Sequence, residues 1–291
     1  MHSDGHLPVL ATAVESFRFV FTHRRELVRL GVVAVPALYL LNLAFDSIDW
    51  LALSGRGLNE TAGKAFVDLG LRGIIATVVL VAWHRVVMLK MRTREEPPVA
   101  LGLRECRYFI VWLLLSAGFL AVFAITAALA VAFQFVAMLG VYLAVLLLGL
   151  NRVVVVGQSD QLVIVLWISI VFAVPAASYI VGRLSLVLPA LAVDRRRPWR
   201  HAWRLSAGNG WRLVATSLLV MLPMEALAAL CATAATAARA TAAHYPLALA
   251  AVLSVFLLIV LTGTVLSLFS LQLDRGQSEA ARSPSGIVPA E

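Results

Sequence analysis

Apolar runs recur along the whole chain and alternate with short basic or glycine-containing segments. Runs of about twenty residues are the signature of membrane-spanning helices, because that length of helix crosses the hydrocarbon core of a bilayer. The candidate spans are roughly residues 30–46, 73–89, 109–133, 162–193, 213–238 and 246–271. The pattern therefore predicts an all-α fold, a polytopic integral membrane helical bundle with about six transmembrane helices.

A further apolar segment, FVAMLGVYLAVLLLGL at residues 135–150, raises the question of a seventh span. The basic residues decide this question, because cytoplasmic segments carry an excess of Lys and Arg. With six spans and both termini in the cytoplasm, 17 basic residues lie inside and 5 outside. A seventh span would put the basic clusters of residues 90–107 and 195–212 on opposite sides. We therefore expect residues 134–161 to form an outer excursion, either an interfacial helix or a re-entrant hairpin.

The composition excludes a water-soluble globule. The chain is 61% hydrophobic and only 14% charged, with a mean hydropathy of +0.91 and a net charge of +8, whereas soluble domains carry about 25% charged residues. We expect residues 1–272 to form an integral membrane helical domain. Residues 273–291 are polar and rich in small residues, which predicts a disordered cytoplasmic tail.

Arginine and tryptophan are interleaved in RRRPWRHAWRLSAGNGWRLV, residues 195–214. Pro198 suits the first position of a helix, and helical spacing then places Trp199 and Trp203 on one face. The Gly-Asn-Gly sequence that follows ends this helix before the next span begins. The segment therefore predicts an in-plane amphipathic helix on the cytoplasmic side, then a corner, then a transmembrane helix. Such in-plane helices are part of the fold that we expect.

The same segment also indicates which molecules the protein binds. Indole rings favour the headgroup layer and neighbouring guanidinium groups reach lipid phosphates, so we expect membrane lipids, with anionic headgroups, to bind here. Nucleic acid is excluded as a partner because spans flank the segment on both sides. The candidate lipid-headgroup interface comprises Arg85, Trp199, Arg200, Trp203, Arg204, Trp211 and Arg212.

The segment SYIVGRLSLVLPALAVDRRRPWRHAWRLSAGNGWRLV, residues 178–214, resembles the YciC-like bacterial inner-membrane proteins and the related membrane domain of some glycerophosphoryl diester phosphodiesterases. The shared pattern is a span with Arg-Leu-Ser-Leu, a proline, a charged loop and a W-R-L-x-x-G-N-x-W-R helix. The matching residues are Arg183, Leu184, Ser185, Leu186, Pro189, Trp203, Arg204, Leu205, Gly208, Asn209, Trp211 and Arg212.

The resemblance implies a six-helix protein of the bacterial inner (cytoplasmic) membrane and no established activity. The family usually has Glu at the charged position after the proline, where Asp194 stands in this chain. The catalytic barrel of the phosphodiesterases needs far more polar sequence than this chain has, so that activity is not implied.

Two ionisable residues stand deep in consecutive spans. Arg183 lies about 17 Å and Glu225 about 19 Å from the inner ends of their spans at 1.5 Å per residue. A lone charge at mid-bilayer costs at least about 2.5–3.5 kcal/mol, so such residues usually pair or face a cavity. Arg183 and Glu225 are therefore a candidate intramembrane charge pair. Its role remains open between fixing helix register and forming a lipid-headgroup or ion site.

Catalytic and metal-binding signatures are not found. No P-loop, G-x-S-x-G or H-E-x-x-H motif occurs, and the histidines, including His84, read as dispersed interfacial side chains. Cys106 and Cys231 show no ligand or disulfide spacing, so we expect neither a cofactor nor a metal.

The sequence is compatible with three classes of function. The first is a non-enzymatic membrane protein with a lipid-interacting, scaffold or envelope-homeostasis role, which the basic inner face and the missing catalytic motifs favour. The alternative is a transporter or channel for a small solute, ion or lipid with a midplane Arg183/Glu225 site. The third is an intramembrane enzyme, which would need converging His, Asp or Glu side chains. We expect the first.

Overall fold

The computed structural model describes residues 8–47, 60–89, 102–148, 171 and 174–282. In these ranges the chain forms helices joined by turns, and no β-strand occurs. The helices are α1 Val9–Thr22, α2 Arg24–Ser47, α3 Glu60–Leu89, α4 Leu103–Leu148, α5 174–185, α6 Val187–Ala192, α7 Pro198–Leu205, α8 Gly210–Ala237 and α9 His244–Arg282.

Six helical segments in the described part of the chain are long and apolar enough to cross a membrane. They are Arg24–Phe45, Val67–Leu89, Leu103–Gly140, Val174–Ala192, Gly210–Ala237 and His244–Arg275. Helices satisfy their own backbone hydrogen bonds, which is what a chain inside hydrocarbon requires. The predicted all-α, six-helix polytopic fold is therefore confirmed.

The chain divides into two compact units, of which the first combines Met1–Trp112 with Ser185–Glu291 and the second is Leu113–Leu184. Helix α9 is the centre of the first unit, because it contacts α1, α2, α3, α6, α7 and α8. Its residues 263–270 are buried without exception. A helix that is buried all round lies in the core of a bundle, so side chains of this stretch meet only other protein groups.

The short helix α1 packs against α8 and α9 through a polar and small-residue face. Thr12 and Ser16 are buried there, and their hydroxyls donate to the carbonyls of Pro8 and Thr12 at 2.9 and 2.8 Å. The exposed face carries the apolar side chains of Leu10 and Val14. Because the hydroxyls are satisfied within the helix, α1 can bury its polar face and turn its apolar face outwards.

Helix α4 differs from the prediction. It continues from Leu103 to Leu148 without interruption, past residue 133, where we expected the third span to end. The stretch from 126 to 148 contains no proline, and Gly140 alone does not break a helix inside hydrocarbon. The remainder of the expected outer excursion, residues 149–161, lies outside the described residues.

Helix α9 also extends further than predicted, to Arg282, although we expected an irregular tail from residue 273. Asp274 explains part of the extension, since its carboxylate is held by Arg195 at 2.6 Å. Residues 283–291 of the expected tail lie outside the described residues.

Candidate functional site

Helix α7 has two different faces. Ala202 and Leu205 are buried against the other helices of the first unit, whereas Trp199 and Trp203 are 41% and 51% exposed. The helix begins at Pro198, as predicted, and ends before the turn around Gly208, whose φ is +75°. Large aromatic side chains on the outside of a membrane protein are typical of the water–hydrocarbon boundary. Helix α7 therefore has one buried face and one exposed face that carries two indoles.

The predicted arginines surround these indoles. Arg200 and Arg204 are exposed on α7, and Trp211 is 56% exposed at the start of α8. Arg212 and Arg85 are half-buried. The exposed part of the predicted interface is thus formed by α7 and the first turn of α8, and Arg85 on α3 contributes a partly covered group.

A polar cluster joins α7 and the loop before it to α9 at Asp274. Arg195 Nη1 lies 2.6 Å from Asp274 Oδ2, and His201 Nε2 lies 3.3 Å from Asp274 Oδ1. Arg195 Nη1 also lies 2.7 Å from His201 Nε2. Because a guanidinium only donates hydrogen bonds, Nε2 of His201 accepts from Arg195, and this geometry suits the neutral imidazole.

The electrostatics of His201 agree with this geometry. Burial lowers the pKa of His201 below its usual value, the carboxylate of Asp274 raises it, and the nearby Arg195 and Arg204 lower it again, with a lowered value as the outcome. His201 is therefore neutral at pH 7 and becomes charged only in a more acid solution than a free histidine requires.

The loop before α7 is held by a second ion pair and has an unusual backbone. Arg104 donates from both Nε and Nη2 to Asp194 Oδ2 at 3.0 Å. Asp194 and Arg197 have φ values of 54° and 53°, which few residues other than glycine adopt. Aspartate tolerates this conformation better than arginine does. The ion pairs of Asp194 and Arg195, which both stand just before Arg197 in the chain, hold the loop that carries this strained backbone and leads into α7.

A buried polar cluster lies inside the same unit, and the sequence analysis missed it. His84 Nδ1 lies 2.6 Å from Ser267 Oγ, and His84 Nε2 lies 2.9 Å from the Tyr108 hydroxyl. Next to it, Trp83 Nε1 donates to Thr264 Oγ1 at 2.8 Å. These side chains are completely buried, so the reading of His84 as an interfacial residue is wrong.

One signal in the sequence pointed to this cluster. Thr264, Ser267 and Ser270 recur every three residues in an apolar span, which places hydroxyl groups along one side of a helix. The cluster joins α3, α4 and α9. Since Ser267 and His84 are fully buried, they present no nucleophile at a membrane face, and the arrangement serves to hold three helices together.

The predicted charge pair falls in two different units. Arg183 belongs to the second unit and is half-buried, with its guanidinium 5.7 Å from the centre of the Tyr179 ring. Glu225 belongs to the first unit and is exposed near the middle of α8. Their pairing therefore stays a prediction.

No group of three His, Cys, Asp or Glu side chains that could hold a metal ion occurs in the described ranges. Cys106 and Cys231 are free thiols. No family model matches the chain, and no curated protein or solved structure is significantly similar to it.

Proposed function

We propose that this chain is a non-enzymatic protein of the bacterial inner membrane, of the YciC-like kind, with a lipid-interacting, scaffold or envelope-homeostasis role. Its cytoplasmic side binds anionic headgroups through the residues of α7 and the start of α8. The observation that carries this proposal is the exposed face of α7, where Trp199 and Trp203 stand beside Arg200. Aromatic rings and guanidinium groups together suit the headgroup layer.

The use of acidic side chains supports an anionic partner. Asp194 is engaged by Arg104, and Asp274 by Arg195. The carboxylate of Glu105 accepts from the backbone N–H of Gly102 at 2.9 Å. These three carboxylates of the described residues are thus taken up by internal contacts, and the exposed guanidinium groups of Arg200 and Arg204 suit an anionic partner.

Native mass spectrometry of protein extracted in mild detergent tests this proposal. The variant carries Arg200→Gln with Arg204→Gln, which removes two charges and keeps both tryptophans. We expect the amount of co-purified anionic phospholipid, relative to zwitterionic phospholipid, to fall several-fold. Arg239→Gln, in the loop between α8 and α9 on the predicted outer side, is the matched control and should leave this ratio unchanged. An unchanged ratio in the double variant would refute the lipid-binding role of α7.

A transporter with a midplane site is the second candidate, and the exposed position of Glu225 in the middle of α8 favours it. A carboxylate at that depth needs a partner or a transported ion. If Arg183 is its partner, losing one member should cost about 3–5 kcal/mol and losing both should cost less. Thermal unfolding of Arg183→Met, Glu225→Leu and the double variant measures this coupling, and additive losses would show that the residues are independent.

The functional part of this candidate needs a separate measurement. Glu225→Gln keeps the size of the side chain and removes the charge. A proton-dependent or ion-dependent flux into proteoliposomes that this variant abolishes, with unchanged stability, would favour transport over the lipid-interacting role. No flux in the unsubstituted protein would eliminate the transporter.

A further inference from the structure

Helix α1 and the first part of α2 run alongside α9 in the opposite direction. Nε2 of Gln272 donates to Oε2 of Glu15 at 2.9 Å, and a Cβ atom added at Gly31 would lie 3.3 Å from Cε1 of Phe256. The two contacts are sixteen residues apart on both lines, which is about 24 Å at 1.5 Å per residue. The turn between α1 and α2 therefore does not carry the chain away from α9.

This alignment places the start of α2 far from the end of α9. Arg24 follows Glu15 by nine residues, so it lies about 14 Å further along the axis than Gln272 does. Asp274, where α7 contacts α9, lies on the other side of Gln272. The depth of Arg24 in the membrane rests on the proposed position of α7 in the headgroup layer. With that position, Arg24 and Arg25 lie at the level of the acyl chains.

The outer face of α1 suits the acyl chains. Leu10, Val14 and Phe21 are exposed on this helix, and Val28 and Val32 are exposed on α2. Their spacings of four, seven, seven and four residues place them on one side of a helix. Apolar surface of this extent marks contact with a membrane or with another protein.

Three guanidinium groups stand beside this apolar surface. Arg18, Arg24 and Arg25 are exposed, and no ion pair joins them to a carboxylate of the described residues. Arg18 also lines an open groove of about 670 Å³ along α1, together with Leu10 and Val14. A charge at acyl depth is costly, and local thinning of the bilayer with inward movement of polar groups reduces the cost.

We propose that the junction of α1 and α2 is a second phospholipid site, where Arg18, Arg24 and Arg25 bind the phosphate of an anionic phospholipid below the level of α7. The acyl chains of this lipid lie against the exposed apolar side chains of α1 and α2. Guanidinium groups suit a phosphate because they donate two parallel hydrogen bonds. Three positive charges beside the carboxylates of Glu15 and Glu26 leave an excess that favours an anionic headgroup.

Native mass spectrometry of the full chain in detergent, titrated with phosphatidylglycerol, tests the site. We expect Arg24→Gln with Arg25→Gln to lower the fraction of protein that keeps a bound phosphatidylglycerol several-fold at equal lipid concentration. The matched control, Arg107→Gln with Arg239→Gln, removes two exposed charges outside the site and should leave this fraction unchanged. The midpoint of thermal unfolding shows that each variant is folded.

A nitroxide label measures the depth of α1 independently of the arginines. The label is attached at Val14→Cys in a chain with Cys106→Ser and Cys231→Ser, in vesicles of phosphatidylcholine and phosphatidylglycerol. We expect it to be accessible to oxygen and protected from a water-soluble nickel complex, as in the acyl region. Val32→Cys, inside the span of α2, is the control and should show the same protection.

Three outcomes overturn the proposal. Access of the nickel complex to the label at position 14 would place α1 in water, so that Arg24 and Arg25 mark the end of a span. Unchanged lipid binding in the Arg24/Arg25 variant would eliminate the phosphate site. A dimer of the unsubstituted chain that this variant dissociates would assign the surface to a second copy.

The lipid-binding role of α7 is distinguished by its own variant, Arg200→Gln with Arg204→Gln. Loss of phosphatidylglycerol in that variant alone would keep the role of α7 and refute the site on α1 and α2. Loss in the Arg24/Arg25 variant alone, with a protected label at position 14, would keep this site and refute the role of α7.

Discussion

At the scale of single residues, Gly73 shows how closely α3 approaches the start of α4. A Cβ atom at position 73 would lie 2.5 Å from Cζ3 and 2.8 Å from Cη2 of Trp112. We expect Gly73→Ala to cost about 1–3 kcal/mol, because the indole must move in a packed interior. Gly70→Ala is the control, since no atom lies within 4 Å of its added Cβ, and it should be neutral or stabilising by up to about 1 kcal/mol. Thermal unfolding in detergent distinguishes the two, and equal effects would contradict close packing at Gly73.

His201 gives a prediction for pH. Its pKa is lowered in the folded protein, so the folded state binds fewer protons than the unfolded state below the ordinary histidine pKa of about 6.5. Its contribution to stability is therefore complete above that pH and is lost progressively as the pH falls. We expect the unfolding midpoint of the unsubstituted protein to drop more between pH 7.5 and pH 5 than that of His201→Gln. A steeper drop in the variant would mean that folding raises the pKa of His201, contrary to this prediction.

Single residues also mark what the sequence does not determine. The sequence did not distinguish His84 from the other five histidines. Its partners Tyr108 and Ser267 lie on two other helices, so no spacing pattern near residue 84 indicates them. Trp199 and Trp203 were easier to place, since their exposure follows from the periodicity of one short helix. Burial of an individual polar residue depends on tertiary packing, whereas the orientation of a helix face is already present in the local pattern.

At the scale of elements, α7 yields a prediction about depth. If it lies in the headgroup layer, brominated phospholipids in vesicles should quench the fluorescence of Trp199 and Trp203. Trp199→Phe with Trp203→Phe should remove part of the quenched signal. Trp83→Phe is the control, because Trp83 is completely buried in protein. Quenching of the two α7 indoles by a water-soluble quencher alone would place them in the cytosol.

The boundaries of the elements were predictable where the chain contains a local stop signal. Pro198 begins α7, and the Gly-Asn-Gly sequence lies between α7 and α8, as expected. Helix α4 has no such signal, and its predicted end rested on the distribution of charge between the two sides of the membrane. Charge decides which side a loop occupies, but it does not break the hydrogen bonds of a helix. The helix therefore continued where the prediction ended it.

At the scale of the whole molecule, the orientation in the membrane is the main prediction. Both termini should face the cytoplasm, because 17 basic residues lie on that side of a six-span arrangement and 5 lie on the other. Reporter fusions after Arg94, Arg152, Arg197 and the C-terminus give the side of each point. We expect cytoplasmic signals at all of them except Arg152. A cytoplasmic signal at Arg152 would mean an odd number of crossings before the basic loop.

The division of the chain into units has a consequence for its synthesis. The first unit is completed only after Leu113–Leu184 has been made. Tyr108 is synthesised 24 residues after its partner His84, whereas Ser267 follows His84 by 183 residues. Thr264 follows its partner Trp83 by 181 residues. At about 5–20 residues per second, the ribosome needs roughly 9–37 seconds to supply these partners. During that interval the side chains of Trp83 and His84 are without the α9 partners that they have in the folded protein.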